Sequence, residues 1–476
     1  MRVSQLTILS LLLASCGRAA SAPAPNMLVI AIDDLRDELG CYGASHIHSP
    51  HIDRLAERGV LFDHAYCQKA LCGPSRNSVF SGVRPDTARV IGNQQHFRQA
   101  LPDIVAMPQL FKNHGYLTRG LGKFLHDNQD DPVSWTLPSF FVIDRQYALP
   151  ENTGKTPWTD GVYPQNKQRP LYECADVPDD AYRDGVICQE SIATIRFAVE
   201  REQPFFVIAG FHKPHTPFNA PKRYWDLYSR EDIALAPNPF PPEGAPAYAL
   251  LDWPYVRSFQ DIPDSGPMPD DLAREVKHAY FACISYIDAQ VGKLLAELDA
   301  LGIADNTVVA LWSDHGYQLG EHGLWCKHTN FETSTKAPLI IADPRRQARG
   351  VRTGLFVELI DLFPTLAELA GLPPPAHLEG KSLAPLFDDP GAFAGRERAA
   401  FSQFTRAGLK GVSIRVKDFR YTEWRDLKRG GPVAARELYD HRVDPLENRN
   451  AAADPRHAET IRRLAKELES VWPRRP

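Results

Sequence analysis

Four short clusters of ionisable side chains each close an apolar run: Asp33-Asp34, Lys123 with His126 just beyond it, His212-Lys213-Pro214-His215, and Asp314-His315. Adjacent carboxylates repel, so Asp33 and Asp34 together imply a cation between them, and Asp314 adds a third carboxylate. Three carboxylates with no paired thiolate motif suit a hard, oxygen-preferring ion, Ca2+ or Mg2+. His315 is a poorer ligand for such an ion and would equally hydrogen-bond a bound anion. Taken singly, each residue has an ordinary explanation. Two acids can cap a helix, and a lone histidine or lysine, Lys327 included, is commonly packed or solvated. Only their joint placement argues for chemistry.

Cys72 poses a separate question. An ordinary thiol ionises at about pH 8.5 and needs activation before it is a nucleophile. Three residues separate Cys72 from Arg76, too few for the loop of a thiolate phosphatase. Among the other cysteines, Cys174 and Cys188 are the only pair close in sequence, and both a bridge and two free thiols remain open.

The elements that must position these groups are legible as periodicity. Residues 26–32, 116–121, 205–211, 307–312 and 336–342 are apolar runs expected to be buried strands. Helices are expected over 50–57, from 107, and over 183–200, 270–301 and 357–370. The alternation predicts an α/β sandwich around a mostly parallel sheet. The clusters then fall at the carboxyl ends of strands, where open α/β sheets form their ligand crevice. Beyond about residue 390, strands over 412–416 and 419–424 and a helix over 455–471 predict a small α+β C-terminal domain (391–476), after a catalytic domain over 24–390.

Residues 6–14 form an apolar run too short to span a bilayer and read as a secretory signal within residues 1–22. Leu13-Ala14-Ser15-Cys16 resembles a bacterial lipobox, with Cys16 lipidated. Ala20-Ser21-Ala22 is a competing cleavage site. Either one predicts an exported protein, periplasmic or held at the outer membrane by a lipid. The 476 residues carry a net charge of -5 and no basic run, which excludes a nucleic-acid footprint.

Cys72-Gly73-Pro74-Ser75-Arg76, followed by Ser81-Gly82-Val83-Arg84-Pro85, resembles the sulfatase signature C-x-P-S-R…T-G-x-x-P. Further blocks, among them DDLRDELGCYG, GKFLH, FHKPHTPF, SDHGYQLGEHGLWCKHTNFE and ELYDHRVDPLENRN, resemble iduronate-2-sulfatase-like members over roughly residues 26–448. The resemblance implies an alkaline-phosphatase-like sandwich and hydrolysis of a sulfate ester. It also implies oxidation of Cys72 to formylglycine by a formylglycine-generating enzyme. One hydroxyl of the hydrated aldehyde would attack sulfur, and the other would collapse to expel sulfate. By the same resemblance Asp33, Asp34, Asp314, His315 and residue 72 bind one Ca2+, and Arg76 holds the aldehyde hydrate. Lys123 and Lys327 contact the sulfate, His126 assists deprotonation of the second hydroxyl, and His212, with Lys327, protonates the leaving oxygen.

The substrate is then a sulfated glycan, expected to carry a 2-O-sulfated uronate as in heparan, dermatan or ulvan. Arg84, Asp86 and Arg89 lie just after the signature, where a uronate carboxylate could meet an arginine fork, or else form a structural ion-pair network. Tyr317 and His328 stand at pocket-wall positions where the lysosomal iduronate enzymes carry Trp and Tyr. Two other readings are a phosphomonoester or phosphonate hydrolase on the same fold, and a glycan-binding surface protein with an inactive site.

Overall fold

A computed structural model describes residues 23–127, 129–153, 167, 169–250, 254–428 and 431–473. The expected signal, Cys16 included, lies outside them. Thirteen strands occur among the described residues: β1 (Asn26–Asp33), β2 (Val60–Tyr66), β3 (Leu117–Gly122), β4 (Tyr172–Ala175), β5 (Phe205–Pro214), β6 (Phe218–Pro221), β7 (Thr307–Ser313), β8 (Leu339–Ala342), β9 (Val351–Glu358), β10 (Ala400–Arg406), β11 (Leu409–Arg415), β12 (Phe419–Asp426) and β13 (Val433–Asp440).

Seven of them form the central sheet in the order β3-β5-β1-β7-β8-β2-β9, while β4 and β6 make a separate parallel pair. β8 runs against both its neighbours, and every other pairing in the seven-stranded sheet is parallel. The sheet is thus mostly parallel with one reversed strand. Its alternation sorts the core into two layers. Leu28, Ile30 and Ile32 of β1 face the layer covered by the helices Arg183–Glu200 and Asp270–Ala300. Met27, Val29 and Ala31 face the layer built with the helices Cys72–Ser81, Met107–Asn113 and Leu362–Leu369.

Two local expectations need correction. The 357–370 segment is not one helix: β9 continues to Glu358, and the α-helix begins only at Leu362. Apolar side chains continue across both elements, so hydrophobicity does not mark the change. β8 begins at Leu339 rather than at 336. β2 and the helix Cys72–Ser81 have no counterpart among the sequence expectations. Asp63 and His64 interrupt the apolar run of β2 at half-buried positions. In the helix all ten residues are buried, so it has no polar face to give a period.

The C-terminal strands β10 to β13 form an antiparallel sheet in sequence order. The helix Ala458–Val471 lays Leu464 and Leu468 against Val412, Ile414, Tyr421 and Leu438 of that sheet. Cys174 and Cys188 are both free, as are the other described cysteines. No helix among the described residues is long and apolar enough to cross a membrane.

Candidate active site

The carboxyl ends of β1, β3, β5 and β7 meet at one edge of the sheet and deliver the clusters there. A bulge in the β1–β5 pairing sets Asp33 opposite Pro214. Asp34 then turns with φ 62° and its amide donates to Asp314 Oδ1 at 3.2 Å. Between β3 and β5 the backbones approach closely. A Cβ at Gly210 would lie 2.4 Å from the Lys123 carbonyl carbon, so only glycine lets Lys123 swing over the sheet edge.

Arg76 ties the site together from within the helix Cys72–Ser81. Its fully buried guanidinium donates from Nε to Asp314 Oδ2 at 2.9 Å and from Nη2 to Asp33 Oδ1 at 3.4 Å. It also donates to the backbone carbonyls of Lys123 and Ile32. Cys72 opens the same helix, with Sγ 3.3 Å from His315 Nε2. Lys123 Nζ stands 2.5 Å from Asp33 Oδ2, and Lys327 Nζ 2.6 and 2.7 Å from the two oxygens of Asp34.

These pairings set the protonation states. Burial pushes the Asp33 carboxyl up, but Lys123, His215 and Arg76 prevail and hold it well below the usual carboxylate range. For Asp34 burial prevails over Lys327, and its pKa is raised. Burial and Asp33 oppose ionisation of Cys72, yet Lys327 and Lys123 lower its pKa. Burial disfavours the charge on His315, but Asp314 and the Cys72 sulfur lift it to about 9.

Ligand atoms of Asp33, Cys72, Asp314 and His315 all lie within 4.8 Å of one another, and Asp34, Cys72 and His215 form a second such group. Fully buried carboxylates converging on one point, with lysine ammonium groups drawn onto them, fit a hard divalent cation.

Around this centre, His126 Nε2 contacts Asp127 Oδ2 at 3.1 Å; burial disfavours the charge on His126, but its hydrogen bonds to Asp127 and to the Cys72 sulfur together raise its pKa. The backbone amide of His212 donates to Asp184 Oδ1 at 2.6 Å, and its imidazole Nδ1 lies 3.4 Å from the same oxygen. Burial and the Arg183 charge push His212 down to about 4.

Tyr317 lies buried with its ring 5.9 Å from the Lys327 ammonium, and His328 packs 5.8 Å from the Phe404 ring. Arg84, Asp86 and Arg89 are not drawn into the cluster. Arg84 makes a bidentate pair with Glu358 at 2.7 and 2.8 Å. Asp86 accepts from Lys410 at 2.5 Å and from Trp472 Nε1 at 2.7 Å. Arg89 is exposed.

The sequence places His215 in a strand-end cluster but gives it no role, and its Nε2 comes within 3.9 Å of Asp34 Oδ2. It gives none to Asp184 or Asp127 either. The sequence signal for His215 was its place in the strand-end cluster with His212; nothing in the chain order separates the two roles.

The sulfatase family model matches residues 25–372, which is most of this architecture and every residue of the cluster. The chain belongs to the sulfatase family. A second model, described as the N-sulphoglucosamine sulphohydrolase C-terminal region, matches residues 320–473 of this sulfatase. Iduronate 2-sulfatase of Mus musculus is 36% identical over 521 residues, covering 94% of each chain. BT4656, solved in complex with its substrate D-glucosamine-2-N,6-O-disulfate, superposes with a TM-score of 0.74 at 22% identity, covering 94% of this chain and 97% of that one. The phosphonate monoester hydrolase of Agrobacterium radiobacter has a TM-score of 0.73 at 24% identity, covering 94% and 95%. The two structural likenesses show the shared alkaline-phosphatase-like fold.

Proposed function

We propose that this sulfatase removes 2-O-sulfate from a uronate-containing glycan, using formylglycine made from Cys72 and one Ca2+ held by Asp33, Asp34, Asp314, His315 and residue 72. The observation that carries the reading is the setting of Cys72. Its sulfur opens a buried helix beside His315, with the cations Arg76, Lys123 and Lys327 lying over the carboxylates Asp33, Asp34 and Asp314. That arrangement serves an anionic ester that must approach a nucleophile without being repelled. The 36% identity to iduronate 2-sulfatase over nearly the whole chain supports the sugar class.

When present, the hydrated aldehyde supplies a nucleophilic hydroxyl with a second hydroxyl for sulfate release, and Ca2+ neutralises charge. The chain's own residues do the rest. Lys123 and Lys327 hold sulfate oxygens, and Arg76 fixes residue 72 against Asp33 and Asp314. His126, steadied by Asp127, takes a proton from residue 72. His212, fixed by Asp184, gives one to the departing sugar oxygen, with His215 neighbouring it. Residues 1–22 direct export, and a formylglycine-generating enzyme acts on the chain before it folds.

Peptide mass spectrometry across Cys72, paired with turnover of a 2-O-sulfated uronate disaccharide and its phosphate-ester counterpart, tests the proposal. The expected result is an aldehyde at position 72, preference for the sulfate ester, and activity lost to a chelator and restored by Ca2+. Fully active protein with an intact Cys72 thiol would overturn the formylglycine step. Preference for phosphate would replace the reading with a phosphomonoester or phosphonate hydrolase, and glycan binding without turnover with an inactive binding protein.

A further inference from the structure

Most cations of the catalytic face have anionic partners. Arg76 bonds Asp314 and Asp33, Lys123 bonds Asp33, and Lys327 bonds Asp34. Arg84, the conspicuous arginine after the signature, is taken up by Glu358. Arg183 is different. It is the first residue of the helix Arg183–Glu200, immediately before the Asp184 whose carboxylate accepts the amides of His212 and Lys213. Its Nε is shut off from solvent with no acceptor in reach. Its guanidinium makes no hydrogen bond or ion pair with any described residue, and only its backbone amide is engaged, by the Arg145 carbonyl.

The charge is nevertheless felt in the active site. Asp184, Asp127, Tyr255 and Asp33 act on Arg183, and Arg183 in turn acts on His212. Burial still dominates, and the pKa of Arg183 is lowered. A buried donor left without an acceptor costs roughly 1–3 kcal/mol. An arginine kept in that state beside the leaving-group acid points to an acceptor that arrives with the substrate. The sulfate oxygens already have Lys123 and Lys327, so the missing partner is a second anionic group. A planar guanidinium fork matches a carboxylate bidentately.

We propose that Arg183 binds the carboxylate of the sulfated uronate and so determines specificity for uronate over neutral sugars. This rests on the uronate reading given above. A carboxylate on Arg183 would also offset the charge that, after burial, lowers the His212 pKa.

The test uses matured full-length enzyme and its R183Q and R183K variants. Two readouts are compared: kcat/KM for a 2-sulfated uronate against its carboxyl-reduced analogue, and competition by free uronate against the neutral hexose during aryl sulfate hydrolysis. Loss of a charge-assisted pair predicts a fall in the uronate preference of about tenfold or more in R183Q. Competition by free uronate should weaken by a similar factor, with R183K intermediate. Because the guanidinium bonds no other described residue, thermal stability should be preserved. An equal loss on both substrates, or undiminished competition by uronate in R183Q, overturns the assignment. If the wild type cleaves no 2-sulfated uronate while free uronate still competes through Arg183, the 2-O-sulfatase reading fails and Arg183 stands. If uronate does not compete with the wild type at all, the Arg183 assignment fails.

Discussion

Asp184 has no solvent exposure and touches neither the cation cluster nor Cys72, yet it fixes the end of β5. One carboxylate oxygen takes the His212 amide at 2.6 Å and the other the Lys213 amide at 3.2 Å. Asn in its place would turn an NH2 toward one of those amides and leave a buried donor unmatched. D184N should therefore misplace His212 and lower kcat by about two orders of magnitude on sugar sulfates, with a smaller change in KM. Aryl sulfates, whose leaving groups scarcely need a proton, should lose much less. Equal losses on both substrate types would mean that Asp184 supports the fold rather than the acid.

At the scale of elements, the C-terminal sheet holds a carboxyl group that works against its stability at neutral pH. Glu437 on β13 accepts Trp424 Nε1 at 2.6 Å and the Tyr439 hydroxyl at 2.7 Å. Burial outweighs these two bonds and lifts its pKa from 4.5 to about 7. The protonated form is the one the fold favours. Its contribution is thus complete below the unfolded pKa of 4.5 and is lost as pH rises through about 7. E437Q mimics the protonated acid, so its stability relative to wild type should improve between pH 5 and pH 8 by about 2–3 kcal/mol. Denaturant titrations of both proteins at the two pH values measure this; a difference independent of pH would refute the assignment.

Across the whole molecule, the C-terminal sheet is locked to the catalytic body by buried charge. Glu332 accepts Arg415 Nε at 2.9 Å, and also accepts Arg420 and the Tyr66 hydroxyl. Glu447 accepts Arg420 Nε at 2.6 Å and, through its second oxygen, the Glu332 amide at 2.7 Å. His441 lies 3.0 Å from Glu447, completing a network of two acids, two arginines and an imidazole. Removing one partner leaves a charge buried and unmatched, so E447A should cost about 3–5 kcal/mol in unfolding free energy. The same sheet carries Arg406, whose guanidinium bonds the His328 carbonyl next to Lys327. E447A should accordingly lower kcat/KM as well as the midpoint of thermal unfolding. A loss below about 1 kcal/mol would show that apolar packing alone holds the two parts together.

What the sequence determined by itself was the inventory. The donors Asp33, Asp34, Asp314 and His315, the Cys72–Arg76 signature and the ends of four buried strands are local features, and a buried parallel strand announces itself by continuous apolarity. Carboxyl ends of parallel strands share one edge, so even the meeting place of the clusters could be anticipated.

Tertiary structure alone decided how charges pair. Arg84 and Asp86 look like pocket residues until partners 274 and 324 positions away, Glu358 and Lys410, are folded onto them. His215 rather than His212 approaches Asp34 because the end of β5 turns there, while Asp184 takes the His212 amide. Arg183 becomes a candidate because folding leaves its guanidinium with no hydrogen-bond or ion-pair partner among the described residues. Side-chain type is written in the chain, but pairing depends on distances that only the packed sheet and its covering helices set.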